Sequence, residues 1–180
     1  MRVVGGWLGG QTLVAPRGRA TRPTPERVRE AVFSILGSVE GERVLDPFAG
    51  SGALAIEALS RGASMATLVD SSAAAMTAMQ RNLANLDLDA EVHRRRALPF
   101  LQWASQAARQ YDLVFVDPPY RYASTLGREL HTALTPVLAT RARVVVESDR
   151  RTPLELGLLT LTDERRYGDT LIRIYVNGPR

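Results

Sequence analysis

The sequence predicts an α/β protein built on a doubly wound, mostly parallel sheet, and three observations carry that prediction. From Glu42 onward, short apolar runs alternate with stretches at helical spacing. Two of the runs end on an aspartate that enters a turn: Asp46 before a Gly-rich stretch, and Asp117 before two prolines. The last two runs, residues 158–165 and 170–176, are joined through Tyr167, Gly168 and Asp169, a hairpin that adds antiparallel edge strands.

Residues 1–37 read as an extension and 38–180 as the main domain. In the extension, 2–4 and 12–14 are short strands on either side of Gly5, Gly6, Gly9 and Gly10, a small β-hairpin. Pro16, Gly18 and Pro23 keep the next stretch irregular. Thr24 and Pro25 mark a helix start, with Thr24 as N-cap and proline at the first helical position. Val28, Ala31, Val32, Ile35 and Leu36 then fall on one helical face, and Gly37 stops the helix. Strands are expected at 43–46, 66–70, 91–94, 112–117 and 143–147, with helices at 53–60, 72–86, 100–109 and 124–138 between them.

Composition removes several kinds of chemistry. The 180 residues suffice for one domain core, and 45% hydrophobic with 23% charged residues suits a soluble globular chain. No apolar run approaches the roughly 20 residues that span a bilayer. The N-terminus lacks an apolar signal region, so a cytoplasmic location without membrane contact is expected. Absence of cysteine excludes disulfides, thiolate catalysis and Cys-ligated zinc, and His93 and His131 stand in no metal-spaced cluster, so no metal is expected. Every basic residue is arginine, which excludes Schiff-base and P-loop lysine chemistry.

The net charge is +4, and the first part of the chain concentrates it. Arg2, Arg17, Arg19, Arg22, Arg27 and Arg29 face a single acid, Glu26. Guanidinium forks suit phosphate oxygens, so an anionic polymer is the expected partner, with Arg17, Arg19, Arg22 and Arg27 as RNA contacts. Trp7 and Trp103 read as packing residues, Arg165 and Arg166 as solvent-facing, and Glu147 as structural.

The chemistry concentrates in two motifs. In the first, Asp46, Pro47, Phe48, Ala49, Gly50, Ser51 and Gly52 link a strand to a helix. Gly50 and Gly52 lack a Cβ, which permits a tight turn and close approach of a ligand. Asp70, at the end of the next strand, can accept hydrogen bonds from both ribose hydroxyls of a nucleoside. Gly50, Gly52 and Ala55 also satisfy the dinucleotide fingerprint, so this loop alone leaves both NAD and a sulfonium methyl donor open. Asp46 tilts the choice, since it would repel a pyrophosphate and attract a cation.

In the second motif, Asp117, Pro118, Pro119 and Tyr120 close a buried strand, where open α/β sheets bind ligands. An exocyclic amine on a nucleic-acid base is a poor nucleophile, because its lone pair is delocalised into the ring. The Asp117 carboxylate and the Pro118 carbonyl can each accept one N–H and draw the nitrogen toward tetrahedral geometry. Two prolines stiffen the turn, and Tyr120 offers a stacking face. Both motifs at neighbouring strand ends favour methyl transfer to such an amine.

With the opening Arg2, Val3, Val4, Gly5, Gly6 and the run at 22–33 added, the chain resembles the RsmD family of bacterial 16S ribosomal RNA guanine-N2 methyltransferases. The resemblance runs nearly end to end. It implies a class I, Rossmann-like methyltransferase sheet of seven strands with the last antiparallel, and S-adenosylmethionine as donor without a metal. It further implies a guanine of the helix-31 loop as acceptor, in an assembled or nearly assembled small ribosomal subunit, and a monomeric enzyme. Donor contacts would fall on Asp46, Phe48, Gly50, Gly52, Asp70, Ser71, Ala97 and Leu98; Asp117, Pro118, Pro119 and Tyr120 would hold the amine. Where the family usually shows an acid or amide before the alanine, this chain has Arg96. DNA adenine-N6 methylation uses the same two motifs but not this opening, and residues 1–42 leave no room for a DNA recognition domain. A non-catalytic rRNA-binding assembly factor would not need the intact second motif.

Overall fold

The computed structural model describes residues 1–16, 24–118, 123–157 and 159–178, with the backbone alone for 123–126. Short continuous apolar runs build a sheet whose central strands are buried on both faces. Its seven strands are β1 (Arg43–Asp46), β2 (Met65–Asp70), β3 (Glu91–Arg94), β4 (Tyr111–Val116), β5 (Leu138–Asp149), β6 (Thr160–Tyr167) and β7 (Thr170–Val176). They lie in the order β3-β2-β1-β4-β5-β7-β6. β1 to β5 pair in parallel, and β7 runs antiparallel between β5 and β6. β7 is therefore an interior strand, and β6 takes the edge.

Alternate residues of each strand enter opposite cores. Val44, Leu68, Leu113, Phe115 and Val145 pack under α1 (Glu26–Leu36), α2 (Ala53–Ser60) and α3 (Ala73–Asn85). Leu45, Val69, Val114, Val116, Val144 and Val146 face α4 (Ala97–Gln106) and α5 (Ala123–Leu134). Phe33 of α1 meets Phe115 of β4 with ring centroids 5.7 Å apart, and burying each side chain contributes about 2 kcal/mol. Among the described residues no helix is long and apolar enough to cross a membrane.

The first sixteen residues lie on α2 and α3, where Val3, Leu8 and Leu13 pack with Ile56, Leu83 and Leu86. The two strands expected here reduce to a single antiparallel bridge between Arg2 and Thr12. Side chains and backbone of α2 draw off the donors that a longer ladder would use. The N–H groups of Val4 and Gly5 donate to the buried Glu57 carboxylate, each at 2.7 Å, and Leu8 N–H donates to Ser60 Oγ at 2.9 Å. Trp7, expected to pack, is 68% exposed on this turn. Trp103 does pack, against His93 and Phe100.

Several boundaries differ from the sequence reading. Pro25, not Thr24, caps α1, and no side chain accepts from its first turn. α4 begins at Ala97 instead of 100. α5 ends at Leu134, because Pro136 has no N–H to continue the ladder, and a 3-10 turn (Thr135–Val137) follows. β5 starts early, at Leu138, and regains register with β4 through an irregularity that includes Arg141 at φ 62°.

Candidate active site

Strand order reverses between β1 and β4, and in such sheets the crevice beyond the carboxyl ends of the two strands is the ligand site. Val44 pairs with Leu113 and Leu45 with Val114, so Asp46 at the end of β1 is level with Phe115, two residues before the chain leaves β4 at Asp117. The described residues of the two motifs, 46–52 and 117–118, therefore leave the sheet at the same end.

The β1 loop is fixed to the end of β2. Ala49 N–H donates to the Val69 carbonyl at 3.0 Å and Gly50 N–H to Asp70 Oδ2 at 3.0 Å. The other Asp70 oxygen accepts Ser72 N–H at 2.8 Å, just where Ser72 caps α3. Gly52 turns the chain into α2 at φ 80°, and a Cβ there would lie 2.8 Å from Leu68 Cδ2. Gly50, at φ 55°, would project a Cβ into open space. Asn82 braces the loop from below, donating to the Ser51 carbonyl at 2.9 Å.

Asp46 is 2% exposed and accepts Phe48 N–H at 3.3 Å. Burial pushes its carboxyl up to about 7; the Phe48 N–H opposes that, and Asp70 adds to it. Asp117 is half-buried, and its carboxyl is raised well above the usual range by burial, then by Glu147, then by Asp46. Thr24 bridges the carboxyl ends of β4 and β5: its hydroxyl lies 2.8 Å from Glu147 Oε2 and 3.4 Å from Asp117 Oδ2. The buried Arg29 holds Thr24 in place, donating to its carbonyl at 3.2 Å and to the carbonyl of Arg2. Carboxylates from β1, β2, β4 and β5 thus converge, which suits a cationic ligand and opposes a pyrophosphate. Among the described residues no group of three or more His, Asp or Glu is placed to hold a metal.

Ala97 opens α4, so its N–H is one of the first-turn donors that the helix itself leaves unpaired, and Leu98 lies half-buried beside it. Arg96 is exposed in an extended conformation and makes no side-chain cap. Ser71 is exposed at the end of β2, and Phe48 is partly buried against the second core. Pro118 is buried at the end of β4. Arg27 is exposed on α1. Pro119 and Tyr120 of the second motif, and Arg17, Arg19 and Arg22 of the basic segment, lie outside the described residues.

Sequence reasoning overlooked three residues of this cluster. Thr24 looked like a helix cap, Glu147 like a structural strand end, and Arg29 like one more surface cation. The position of Glu147, an acid at the carboxyl end of the strand beside β4, is the signal that could have placed it.

The sheet order with its antiparallel last strand, and the acidic crevice at the switch point, define a class I S-adenosylmethionine-dependent methyltransferase fold. Residues 1–176 match the model of the family described as conserved hypothetical protein 95. An Escherichia coli protein, "Ribosomal RNA small subunit methyltransferase D", is 42% identical over 97% of this chain and 89% of its own. "Putative rRNA methyltransferase YlbH" of Bacillus subtilis is 37% identical over 97% of this chain and 98% of its own. The solved structure titled "Putative methyltransferase yhhF from Escherichia coli" superposes with a TM-score of 0.85 at 35% identity, covering 100% of this chain and 99% of that one. The chain belongs to this family, the RsmD family.

Proposed function

We propose that this protein transfers a methyl group from S-adenosylmethionine to the exocyclic N2 amine of a guanine in 16S ribosomal RNA, in the helix-31 loop of an assembled or nearly assembled small subunit. The names of the relatives support ribosomal RNA methylation as the activity. The observation that supports the chemistry is the pairing of β1 with β4, which brings Asp46 and Asp117 to the same end of the sheet.

The residues present fit the donor. Open space beside Gly50 admits a ligand against the loop, and the buried Asp46 offers a negative charge to its cationic groups. Asp46, Phe48, Gly50, Gly52, Asp70, Ser71, Ala97 and Leu98 would hold it, with Asp70 on the ribose and the Ala97 N–H on the adenine. When bound, S-adenosylmethionine supplies an electrophilic methyl on a sulfonium. Asp117 and the Pro118 carbonyl each accept one N–H of the amine and aim its lone pair at that methyl; Pro119 stiffens the turn and Tyr120 stacks on the base. A loop guanine is cheaper to extrude than a paired one. Residues 1–37, with Arg17, Arg19, Arg22 and Arg27, grip phosphates and position the RNA without reading its sequence.

Mass spectrometry of 16S ribosomal RNA nucleosides from cells with and without the gene tests this reading. Loss of N2-methylguanosine from the helix-31 fragment is expected. An unchanged ribosomal RNA, with loss of N6-methyladenine from DNA, would overturn it.

A further inference from the structure

We propose that Thr24 and Glu147 form a positioning pair for Asp117: the Thr24 hydroxyl, shared with the Glu147 carboxylate, fixes the orientation of the Asp117 carboxylate that accepts the amine. The inference rests on the acceptor role given to Asp117 above and extends it to residues on two other elements.

The geometry is that of a hydrogen-bonded bridge between two acids. Thr24, Asp117 and Glu147 line one cavity with Val32, Leu54, Phe115 and Val145, whose apolar side chains keep the local dielectric low. One hydroxyl proton serves two acceptors. Thr24 Oγ1 sits 2.8 Å from Glu147 Oε2 and 3.4 Å from Asp117 Oδ2 and can donate to either. Given to Glu147, the proton leaves the hydroxyl oxygen to accept from a protonated Asp117; given to Asp117, it fixes the ionised carboxylate. When the amine presents its N–H, Asp117 must be the acceptor, and it reaches that state only above its raised titration point.

Among the described residues, the groups facing Asp117 from the packed elements are Asp46 at the end of β1, Glu147 on β5 and Thr24 ahead of α1. Arg29 of α1 holds the Thr24 carbonyl, and Asp70 on β2 stands beyond Asp46. Asp46 and Glu147 both raise the Asp117 carboxyl. Neutralising Glu147 therefore lowers the point at which Asp117 ionises and moves the acid limb of the rate profile to lower pH.

The test is the pH dependence of kcat at saturating donor, using small ribosomal subunits as substrate, for the wild type, Glu147→Gln, Thr24→Val, Thr24→Ser and Asp117→Ala. Glu147→Gln keeps an oxygen for the Thr24 hydroxyl and removes the charge, so its acid limb should shift down by about one pH unit. Thr24→Val should lose about tenfold in kcat, the worth of one hydrogen bond to a charged group, and Thr24→Ser should restore it. Affinity for S-adenosylhomocysteine should stay unchanged in all four variants. An inactive Asp117→Ala combined with an unmoved limb in Glu147→Gln overturns this inference and leaves the proposed function standing. An active Asp117→Ala overturns the proposed function and the inference with it.

Discussion

The Asp70 carboxylate accepts the backbone N–H of Gly50 at 3.0 Å, so the acid that ends β2 also shapes the turn that follows β1. Each carboxylate oxygen has two lone-pair directions, and the bonds from Gly50 and Ser72 occupy one on each. The others remain for the ribose hydroxyls of the proposed donor.

Replacing Asp70 with alanine should therefore act twice, removing the ribose acceptors and freeing the Gly50 turn. Titration calorimetry with S-adenosylhomocysteine is expected to show at least a tenfold loss of affinity, about 1.4 kcal/mol. Unaltered affinity would take Asp70 out of the donor site.

With Asp46 in the proposed donor site, donor binding should depend on pH. Its folded value of about 7 lies above the ordinary 3.8, so the folded protein keeps this proton longer than the unfolded chain does. Between those two values the contribution of Asp46 to stability falls as pH rises. A cationic donor prefers the ionised form, so its affinity should rise from pH 6 to pH 8, with release of a proton on binding. Calorimetry in buffers of different ionisation enthalpy measures that proton, and Asp46→Asn should abolish it. Affinity that is flat with pH in the wild type would remove Asp46 from the donor contacts.

Glu57 ties the N-terminal segment to α2. Fully buried, it accepts from Val4 and Gly5, each at 2.7 Å, and from Arg61 Nε at 2.8 Å. Glu57→Ala would strand two backbone donors and a guanidinium at a cost of about 3 kcal/mol, which lowers Tm by roughly 6–12 °C. A thermal scan within 2 °C of wild type, about 1 kcal/mol or less, would show that the segment is held by its apolar contacts alone.

Much of this architecture is legible in the chain. Runs such as Leu113 to Val116 are apolar at every position because both faces of the sheet are covered, and the half-buried Asp112 and Asp117 bracket that run. The Gly50 and Gly52 turn announces itself because its positive φ values favour glycine, and the stretch after Asp117 because two prolines follow the strand. The contacts that span long stretches of sequence were hidden. Nothing local marks Thr24 as the partner of Glu147, 123 positions away, since a threonine before a proline and a glutamate reads equally well as a cap. Arg29 resembled its exposed neighbour Arg27, and only the helix phase, one turn after Pro25, carries it inward to the carbonyls of Thr24 and Arg2. Trp7 was misjudged for the opposite reason: size argued for burial, but the Gly-rich turn around it has no core of its own to offer.

Basic residues ahead of α1 should appear in the salt dependence of RNA binding. Exchanging Arg17, Arg19 and Arg22 for glutamine is expected to weaken binding to small-subunit RNA and to flatten the slope of log K against log salt by about 0.7–0.9 per lost phosphate contact. An unchanged slope would mean that these arginines face away from the RNA.

The most direct measurement follows labelled methyl groups from S-adenosylmethionine into isolated small ribosomal subunits, comparing the wild type with Asp117→Ala. With the two strand-end turns acting as one site, the wild type labels a guanine at N2, and the variant transfers nothing while still binding S-adenosylhomocysteine. Label recovered on another atom, or near-normal transfer by Asp117→Ala, would contradict the pairing of donor loop and amine-holding turn.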